Sequence, residues 1–361
     1  MRIAIVNDLA IATEALRRAI ASDPAYSLAW TAVNGAAAVE RCRSDRPNLI
    51  LMDLVMPVMN GAEASRRIMR EAPCAILIVT ASLEGHHALV FEALAAGALD
   101  AVQTPILGGR GQVEGTSRLM LKIAILARTI SGKAGRDARA SISPARADAI
   151  PARLIAIGAS AGGPGAVAAI LSALPAEFPG AIVLVQHLDA QFVPALAAWL
   201  NERSPLPVRI AVAGDLPLEG SVLIAGTGDH LVLTEAGSLA YTAEPRDSFS
   251  RPSVDIFFQS AARRWPGAVA GVLLTGMGKD GSAGLKALRD AGALTIAQDS
   301  ASCVVYGMPR AAVELGAAAF VLPPEKIAGK LMEFSSSPGS GAGPEERAGI
   351  WNRFNPTRSR L

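Results

Sequence analysis

Residues 154–163 read LIAIGASAGG, an apolar run that passes directly into a small, glycine-rich turn. A short continuous apolar run of this kind predicts a strand buried on both faces of a parallel sheet. The glycines allow a tight turn from that strand into a helix. Two further runs share this design, because residues 181–186 lead into His187 and residues 269–275 lead into a turn that contains Asp280. Together they predict a mostly parallel α/β domain.

The ends of these three strands carry chemically complementary side chains. In an open parallel sheet, residues just past the carboxyl ends of the strands share a crevice in which ligands bind. A hydroxyl, an imidazole and a carboxylate there are the components of a serine nucleophile system. We therefore predict Ser160, His187 and Asp280 as a hydrolytic triad, with an esterase or amidase as the leading function. Met277 and Gly278 lie in a second glycine-rich turn and can add an N–H group to the oxyanion site.

Two other interpretations of the turn around Ser160 are compatible with its residues. Such turns also bind phosphate at a helix N-terminus, although this one fits neither G-x-G-x-x-G nor a P-loop. It does match G-x-S-x-G, the nucleophile elbow of α/β-hydrolases, in which the acid precedes the histidine. That order would combine Ser160 with Asp215 or Asp229 and with His230. Ser160 follows the first strand of its domain, so the strands that precede the nucleophile in an α/β-hydrolase are missing. We therefore favour the triad of Ser160, His187 and Asp280, and we predict that His230 lines the crevice.

Residues 1–130 alternate between apolar runs and helical periodicity, which predicts a flavodoxin-like (βα)5 unit. The predicted strands cover residues 3–6, 28–33, 49–52, 76–79 and 99–102, and helices are predicted at residues 61–71, 84–96 and 116–130. A second alternation of strands and helices runs from residue 154 to residue 322. The fold class is therefore α/β in both halves, with a doubly wound, mostly parallel sheet in the second.

Polar side chains, two of them acidic, follow the predicted strands of the first domain. Asp8 follows the first strand, Asp53 the third and Thr80 the fourth. Two carboxylates in one crevice can bind Mg²⁺ through oxygen, and one of them can accept a phosphoryl group. The alternative is that Asp8 and Asp53 only cap adjoining helices. The combination of all three residues favours the phosphoryl-accepting site.

Composition and charge exclude several other classes of protein. The 361 residues are 51% hydrophobic and 18% charged, which is enough for about two packed domains. No apolar run approaches the length of a membrane span, and the N-terminus turns polar too early for a signal peptide, so we expect a cytoplasmic protein without membrane insertion. Residues 131–150 and 335–361 each carry a net charge of +2 within a total of +2, so the rest of the chain carries −2 and has no basic face for nucleic acid. The three scattered cysteines predict neither disulfides nor a metal site.

The first domain resembles the receiver domain of two-component response regulators over residues 1–125. The resemblance implies phosphorylation of Asp53, with Mg²⁺ held by Asp8, Asp53 and the carbonyl of Val55. Two positions depart from the family pattern: Asn7 stands where a second acidic residue is usual, and Thr104 stands where a lysine is usual. We expect these departures to weaken Mg²⁺ binding and the contact with the phosphoryl group. Hydrolysis itself is expected to need no cofactor.

The second domain resembles the chemotaxis-type protein-glutamate methylesterase and glutamine deamidase family. The matching stretches are residues 157–163 (IGASAGG), 186–187 (QH), 251–255 (RPSVD), 274–281 (LTGMGKDG) and 298–310 (QDSASCVVYGMPR). The resemblance implies Ser160 as nucleophile, His187 as base and acid, Asp280 as the carboxylate that orients it, and Met277 beside the oxyanion. Ala161, which we also expect beside the oxyanion, stands where the family often has threonine. Asn7 and Thr104 are similar to the variant found in Wsp-type surface-sensing pathways.

The two resemblances together imply an enzyme that acts on a methyl-accepting chemotaxis-type receptor, with a chemotaxis-type histidine kinase as its second partner. They also imply that the unphosphorylated receiver covers the catalytic crevice. The competing hypothesis is a phosphorylation-controlled receptor-binding protein with a vestigial catalytic site. The predicted boundaries are residues 1–125 for the receiver, 126–150 for a linker, 151–334 for the catalytic domain and 335–361 for a disordered tail. Trp351 and Phe354 in that tail read equally as a docking motif or as a nonfunctional end.

Overall fold

A computed structural model describes residues 1–80, 87–107, 113–130, 153–248 and 250–336 of the chain. It divides into two compact units, Met1–Ala138 and Arg139–Leu361. Residues 131–150 of the predicted linker, and the tail residues Trp351 and Phe354, lie outside the described residues. Within the described part of the chain, no helix is both long enough and apolar enough to cross a bilayer.

The first unit is the predicted alternation of strands and helices. Its sheet has the order β2-β1-β3-β4-β5, and every pairing is parallel. In chain order the elements are β1 (Arg2–Val6), α1 (Ala10–Ala21), β2 (Ser27–Ala32), α2 (Gly35–Ser44), β3 (Leu49–Met52), α3 (Gly61–Glu71), β4 (Ala75–Thr80), α4 (His87–Ala95), β5 (Asp100–Gln103), a short hairpin of β6 (Ile106–Leu107) and β7 (Val113–Glu114), and α5 (Thr116–Ile130). The central strand β3 is buried along its whole length, as its unbroken apolar run predicts.

The second unit is built on a seven-stranded sheet of order β10-β11-β9-β8-β14-β15-β16, again with parallel pairings. Its elements are β8 (Arg153–Ala159), α6 (Gly163–Ser172), β9 (Ala181–Gln186), a 3₁₀ turn (Ala190–Phe192), α7 (Val193–Asn201), β10 (Val208–Ile210), β11 (Ser221–Ile224), β12 (His230–Leu233), β13 (Leu239–Thr242), α8 (Val254–Arg264), β14 (Ala268–Leu273), α9 (Ser282–Asp290), β15 (Leu294–Gln298), α10 (Met308–Glu314), β16 (Phe320–Leu322) and α11 (Pro324–Ser336).

The chain enters this sheet at β8 and then fills both sides of it, with β9 on one side and β14 on the other. All seven residues of β8 are buried. Helix α8 packs closely on its end, because a Cβ atom on Gly158 would lie 2.1 Å from Cγ1 of Val254. The reversal of strand order around β8 opens a crevice at the carboxyl ends of the strands. The three predicted triad residues follow the strands that surround this point.

Three details differ from the sequence prediction. Helix α5 ends at Ile130, as its periodicity predicts, so residues 126–130 belong to this helix and not to the predicted linker. Helix α11 continues to Ser336, so residues 335–336 belong to a helix and not to the tail. The chain between β11 and α8 forms an antiparallel hairpin of β12 and β13, where a simple strand–helix alternation was expected. The chain between β11 and α8 is rich in turn residues and lacks the long continuous apolar runs of the parallel strands, so its strands were not predicted.

Candidate active site

Ser160 is held in place through its backbone. It directly follows β8, and its N–H donates to the carbonyl of Thr275 over 3.0 Å. Its own carbonyl accepts from the N–H of Gly163 and from Nε2 of Gln186, both at 2.8 Å. The turn into α6 passes through Gly162, whose φ of 77° is in the left-handed region that favours glycine. These contacts fix the main chain and leave the hydroxyl free for chemistry.

His187 lies beside Ser160 because β8 and β9 are paired in register. Ala159 pairs with Gln186, so Ser160 and His187 follow directly from two opposed residues on strands about 4.8 Å apart. The N–H of His187 continues this ladder by donating to the carbonyl of Ala159 over 2.9 Å. Strand pairing therefore brings the predicted nucleophile and the predicted base together without help from any loop.

Asp280 fixes the tautomer of the histidine. Its Oδ2 lies 2.7 Å from Nε2 of His187. A carboxylate accepts hydrogen bonds, so this nitrogen carries the proton and Nδ1 is the ring nitrogen that can accept one from Ser160. No hydrogen bond joins the Ser160 hydroxyl to the imidazole among the described residues. Catalytic hydrogen bonds often tighten only when substrate is bound.

Asp280 is also the acceptor for the N-terminus of helix α8. Its Oδ1 accepts from the Ser253 hydroxyl at 2.7 Å and from the Asp255 N–H at 3.2 Å, and its Oδ2 accepts from the Val254 N–H at 2.7 Å. Burial alone would raise the pKa of Asp280, but the hydrogen bonds from His187, Ser253 and Val254 lower it overall. The helix N-terminus adds favourable positive potential. The carboxylate therefore stays charged beside the histidine.

The residues predicted beside the oxyanion lie in two turns that Thr275 ties together. Its hydroxyl donates to the carbonyl of Ala161 over 2.9 Å and accepts from the N–H of Val305 over 2.9 Å. The N–H groups of Ala161 and Met277 donate to no other described residue, so both are available to a ligand. Gly278 follows with a φ of 81° in an exposed turn. Two unengaged N–H groups next to a nucleophile are the elements of an oxyanion hole.

The prediction that His230 lines the crevice is wrong. Its side chain is completely buried, and both ring nitrogens are used inside the domain. Nδ1 accepts from the N–H of Ser253 over 3.0 Å, and Nε2 lies 3.1 Å from the carbonyl of Pro245, to which it donates. His230 thus supports the turn that precedes α8. Its position within a glycine-rich turn suggested exposure, but His230 itself begins the buried strand β12.

The rival acids of an α/β-hydrolase triad are engaged elsewhere. Asp215 pairs with Arg209 at 2.6 Å, and Asp229 pairs with Arg251 at 2.7 Å. Because His230 already donates to a carbonyl and accepts from an N–H, neither acid orients it. The structure therefore supports the arrangement of Ser160, His187 and Asp280.

Four residues at the site were not assigned a role from the sequence. Ser253 caps α8, accepting from the N–H of Ile256 while donating to Asp280. A serine directly before a periodic apolar segment is a cap signal that the sequence offered. Gln186 braces the serine turn and Thr275 ties two turns together, but their roles depend on contacts between strands and carry no local signal. Asp255, in the first turn of α8, lies beside Asp280, to which its N–H donates over 3.2 Å.

In the first unit, the predicted phosphorylation site also lies at strand ends. Asp53 is buried and accepts from the N–H of Leu54 over 2.8 Å, whereas Asp8 is exposed. Neither carboxylate caps a helix, because α1 begins after Leu9 and α3 is capped by Asn60. The capping alternative is therefore wrong.

The two departures from the receiver pattern lie close to this crevice in the fold. Asn7 is buried, and its Oδ1 accepts from the N–H of Leu9 over 2.8 Å. Thr104 is buried with no hydrogen-bond partner for its hydroxyl among the described residues. Its N–H donates to the carbonyl of Thr80. Within the described residues, no group of three or more His, Cys, Asp or Glu side chains could hold a metal ion.

The fold and the two sites define a class: an α/β phosphoryl-accepting domain followed by an α/β serine hydrolase domain. Residues 3–110 match the family described as response regulator receiver domain, and residues 155–331 match CheB methylesterase. The chain belongs to the CheB methylesterase family and carries an N-terminal receiver domain.

Its relatives extend over almost the whole chain. A protein-glutamate methylesterase/protein-glutamine glutaminase of Mesorhizobium japonicum is 56% identical over 335 residues, 92% of this chain and 98% of that protein. The enzyme of the same name from the group 3 operon of Pseudomonas putida is 52% identical and covers 92% of this chain and 99% of that protein. The crystal structure of the Thermotoga maritima CheB methylesterase catalytic domain is 38% identical, covers 50% of this chain and 97% of that one, and has a TM-score of 0.48.

Proposed function

We propose that this protein hydrolyses methyl esters of glutamate side chains in a methyl-accepting chemotaxis-type receptor, and deamidates glutamines of the same receptor, under control of phosphorylation at Asp53. The observation that carries the hydrolytic activity is the 2.7 Å hydrogen bond between His187 and Asp280, next to a serine held in strand register. A vestigial site would have no reason to keep this bond and the free N–H groups together.

The geometry accounts for ester cleavage in two steps. The Ser160 oxygen attacks the ester carbonyl while its proton passes to Nδ1 of His187, and Asp280 stabilises the imidazolium that forms. The tetrahedral oxyanion accepts from the N–H groups of Ala161 and Met277. When it collapses, the protonated histidine gives its proton to the leaving oxygen, and methanol departs from an acyl-enzyme.

Water then completes the reaction. It attacks the acyl carbon while His187 takes its proton, and the ester bond to Ser160 breaks as the serine oxygen regains a proton. The products are a glutamate side chain, methanol and free enzyme, so one water is consumed in each turnover. A glutamine side chain reacts through the same steps and releases ammonia in place of methanol. No cofactor takes part in any of these steps.

Mg²⁺ would assist phosphorylation of the receiver. The carboxylates of Asp8 and Asp53 and the carbonyl of Val55 are hard oxygen ligands of the kind that Mg²⁺ prefers. A bound Mg²⁺ supplies positive charge that offsets the charge of the phosphoryl group. Asn7 offers an amide in place of a third carboxylate and Thr104 a hydroxyl in place of an ammonium, so both the metal and the phosphoryl group are held less strongly. The phosphoryl donor we propose is a chemotaxis-type histidine kinase.

The test is methanol release from a methylated cytoplasmic fragment of the receptor by wild-type protein and by Ser160→Ala. We expect loss of the serine to lower kcat by about four to six orders of magnitude. A Ser160→Ala variant that releases methanol near the wild-type rate contradicts the mechanism. If wild type itself releases none, but binds the fragment more tightly when phosphorylated, the receptor-binding hypothesis replaces the enzyme.

A further inference from the structure

A second carboxyl group lies against the catalytic acid. Asp255 occupies the first turn of α8, and its backbone N–H donates to Oδ1 of Asp280 over 3.2 Å. The carboxylate of Asp280 therefore lies beside Asp255, and its negative charge acts on the Asp255 side chain. On its other side, Oδ1 of Asp255 accepts from the N–H of Gly284 over 2.6 Å. No step of the proposed hydrolysis uses this group.

Two carboxylates this close to each other cannot both be charged at modest cost, so the pair holds a proton. The surrounding donors decide which member holds it. Asp280 accepts from His187, from the Ser253 hydroxyl and from the N–H groups at the start of α8. Asp255 faces backbone N–H groups of Gly281 and Gly284 from the neighbouring helix α9. The donors therefore favour the charge on Asp280 and the proton on Asp255.

We propose that Asp255 is a positioning residue for the hydrolysis: its protonated carboxyl donates a hydrogen bond to Asp280 and holds that carboxylate in the orientation that receives Nε2–H of His187. This role rests on the proposed function, since it acts on the same triad. Asp255 touches neither the nucleophile nor the leaving group in this scheme. It acts only through Asp280.

The charged and titratable groups around Asp255 come from each element packed on α8. The loop after β14 contributes Asp280, whose negative charge opposes ionisation of Asp255. His187 after β9 and His230 on β12 reach the pair through Asp280 and through Ser253, respectively. Burial, followed by the charge of Asp280, raises the pKa of Asp255 to about 7. The hydrogen bond therefore exists below neutral pH and is replaced by repulsion above it.

The experiment compares full-length wild type, Asp255→Asn and Asp255→Ala across a pH series. Asparagine keeps an acceptor for Gly284 and an N–H donor for Asp280, but it does not titrate. Alanine removes both contacts. Asp290→Asn is the matched control, because this aspartate at the end of α9 is 62% exposed and pairs with Lys286 on the surface. The readout is kcat for Ser160-dependent ester cleavage.

We expect Asp255→Asn to retain kcat within about threefold of wild type below neutral pH, and Asp255→Ala to lose about tenfold or more. Above neutral pH the wild type loses the hydrogen bond and the asparagine variant keeps it. The ratio of the Asp255→Asn rate to the wild-type rate should therefore rise as pH passes through about 7, while the ratio for Asp290→Asn stays constant. A ratio for Asp255→Asn that is flat across this range overturns the proposal.

An infrared measurement tests the proton independently of turnover. Wild type should show the C=O stretching band of a protonated carboxylic acid below neutral pH, and Asp255→Asn should lack it. Absence of that band from wild type overturns the assignment even when the enzyme is active. If no Ser160-dependent cleavage of receptor or of a simple activated ester is found, the proposed function fails first and the positioning role with it. Active enzyme with a flat pH ratio removes the positioning role alone.

Discussion

Single hydrogen bonds around one buried carboxylate decide whether this site can work. Asp280 accepts from a histidine, a serine hydroxyl and main-chain N–H groups, which together outweigh the cost of burying its charge. Each donor belongs to a different part of the domain: the strand end after β9, the cap of α8 and the first turn of α8. The triad is therefore only as rigid as the packing of α8 against the sheet, to which the contact between Gly158 and Val254 contributes.

The stability of the folded state should also depend on Asp255. Burial and the neighbouring Asp280 raise its pKa from 3.8 to about 7 in the folded protein. Its contribution to stability is fully present below the unfolded pKa and is lost as pH rises through the folded one. Asp255→Asn has no such loss, so it should gain stability relative to wild type between about pH 5 and about pH 8.

Urea unfolding at those two pH values, followed by circular dichroism, measures this difference. The variant and wild type should differ little at the lower pH, and the variant should be the more stable at the higher pH. The Asp290→Asn variant provides the baseline for an exposed surface aspartate. An equal difference at both pH values would show that the native carboxyl does not gain its proton.

Among the elements, α8 links stability to catalysis through its cap. The Ser253 hydroxyl donates to Asp280 over 2.7 Å, and the same oxygen accepts from the first turn of the helix. Removal of this hydroxyl in Ser253→Ala should lower the free energy of unfolding by about 1–2 kcal/mol. It should also lower kcat, by about tenfold, because Asp280 loses a donor that fixes it.

Ser260→Ala on the same helix separates the two effects. Ser260 is equally buried, and its hydroxyl accepts from the N–H of Leu233 without touching the triad. We expect Ser260→Ala to lower the free energy of unfolding by a comparable amount and to leave kcat unchanged. Urea unfolding measures the first quantity and methanol release the second. Equal losses of kcat in the two variants would mean that Ser253 acts only through folding.

Elements that are determined by local sequence signals could be predicted, and features that depend on contacts between distant residues could not. The bounds of β3, β9, α3 and α5 are the same in the prediction and in the structure, because continuous apolar runs and regular helical periodicity are local signals. The triad could be predicted because each member directly follows such a strand or its turn. The burial of His230 and the pairing of Asp255 with Asp280 could not, since both depend on contacts between residues far apart in the chain.

On the scale of the whole molecule, both units place their chemistry at the carboxyl ends of parallel strands, where the strand order reverses. In the first unit this point lies between β1 and β3 and carries Asp53, and in the second it surrounds β8. A phosphoryl group on Asp53 can influence the hydrolase only if the receiver changes between two states that differ in their effect on it. The strength of that control therefore depends on how firmly the receiver holds the phosphoryl group.

Asn7 and Thr104 should limit this control, and restoring the usual residues should strengthen it. In Asn7→Asp a third carboxylate, beside those of Asp8 and Asp53, strengthens Mg²⁺ binding, and in Thr104→Lys an ammonium can contact the phosphoryl group. We expect the double variant to accumulate more phosphorylated protein than wild type when given a small acyl phosphate and Mg²⁺, and to show a larger rise in methanol release. Asp53→Asn should show neither response in either background, which distinguishes phosphorylation from other effects of the donor. If the double variant is phosphorylated more fully while its methanol release stays at the wild-type level, the coupling between the domains is limited elsewhere, and the two residues do not set it.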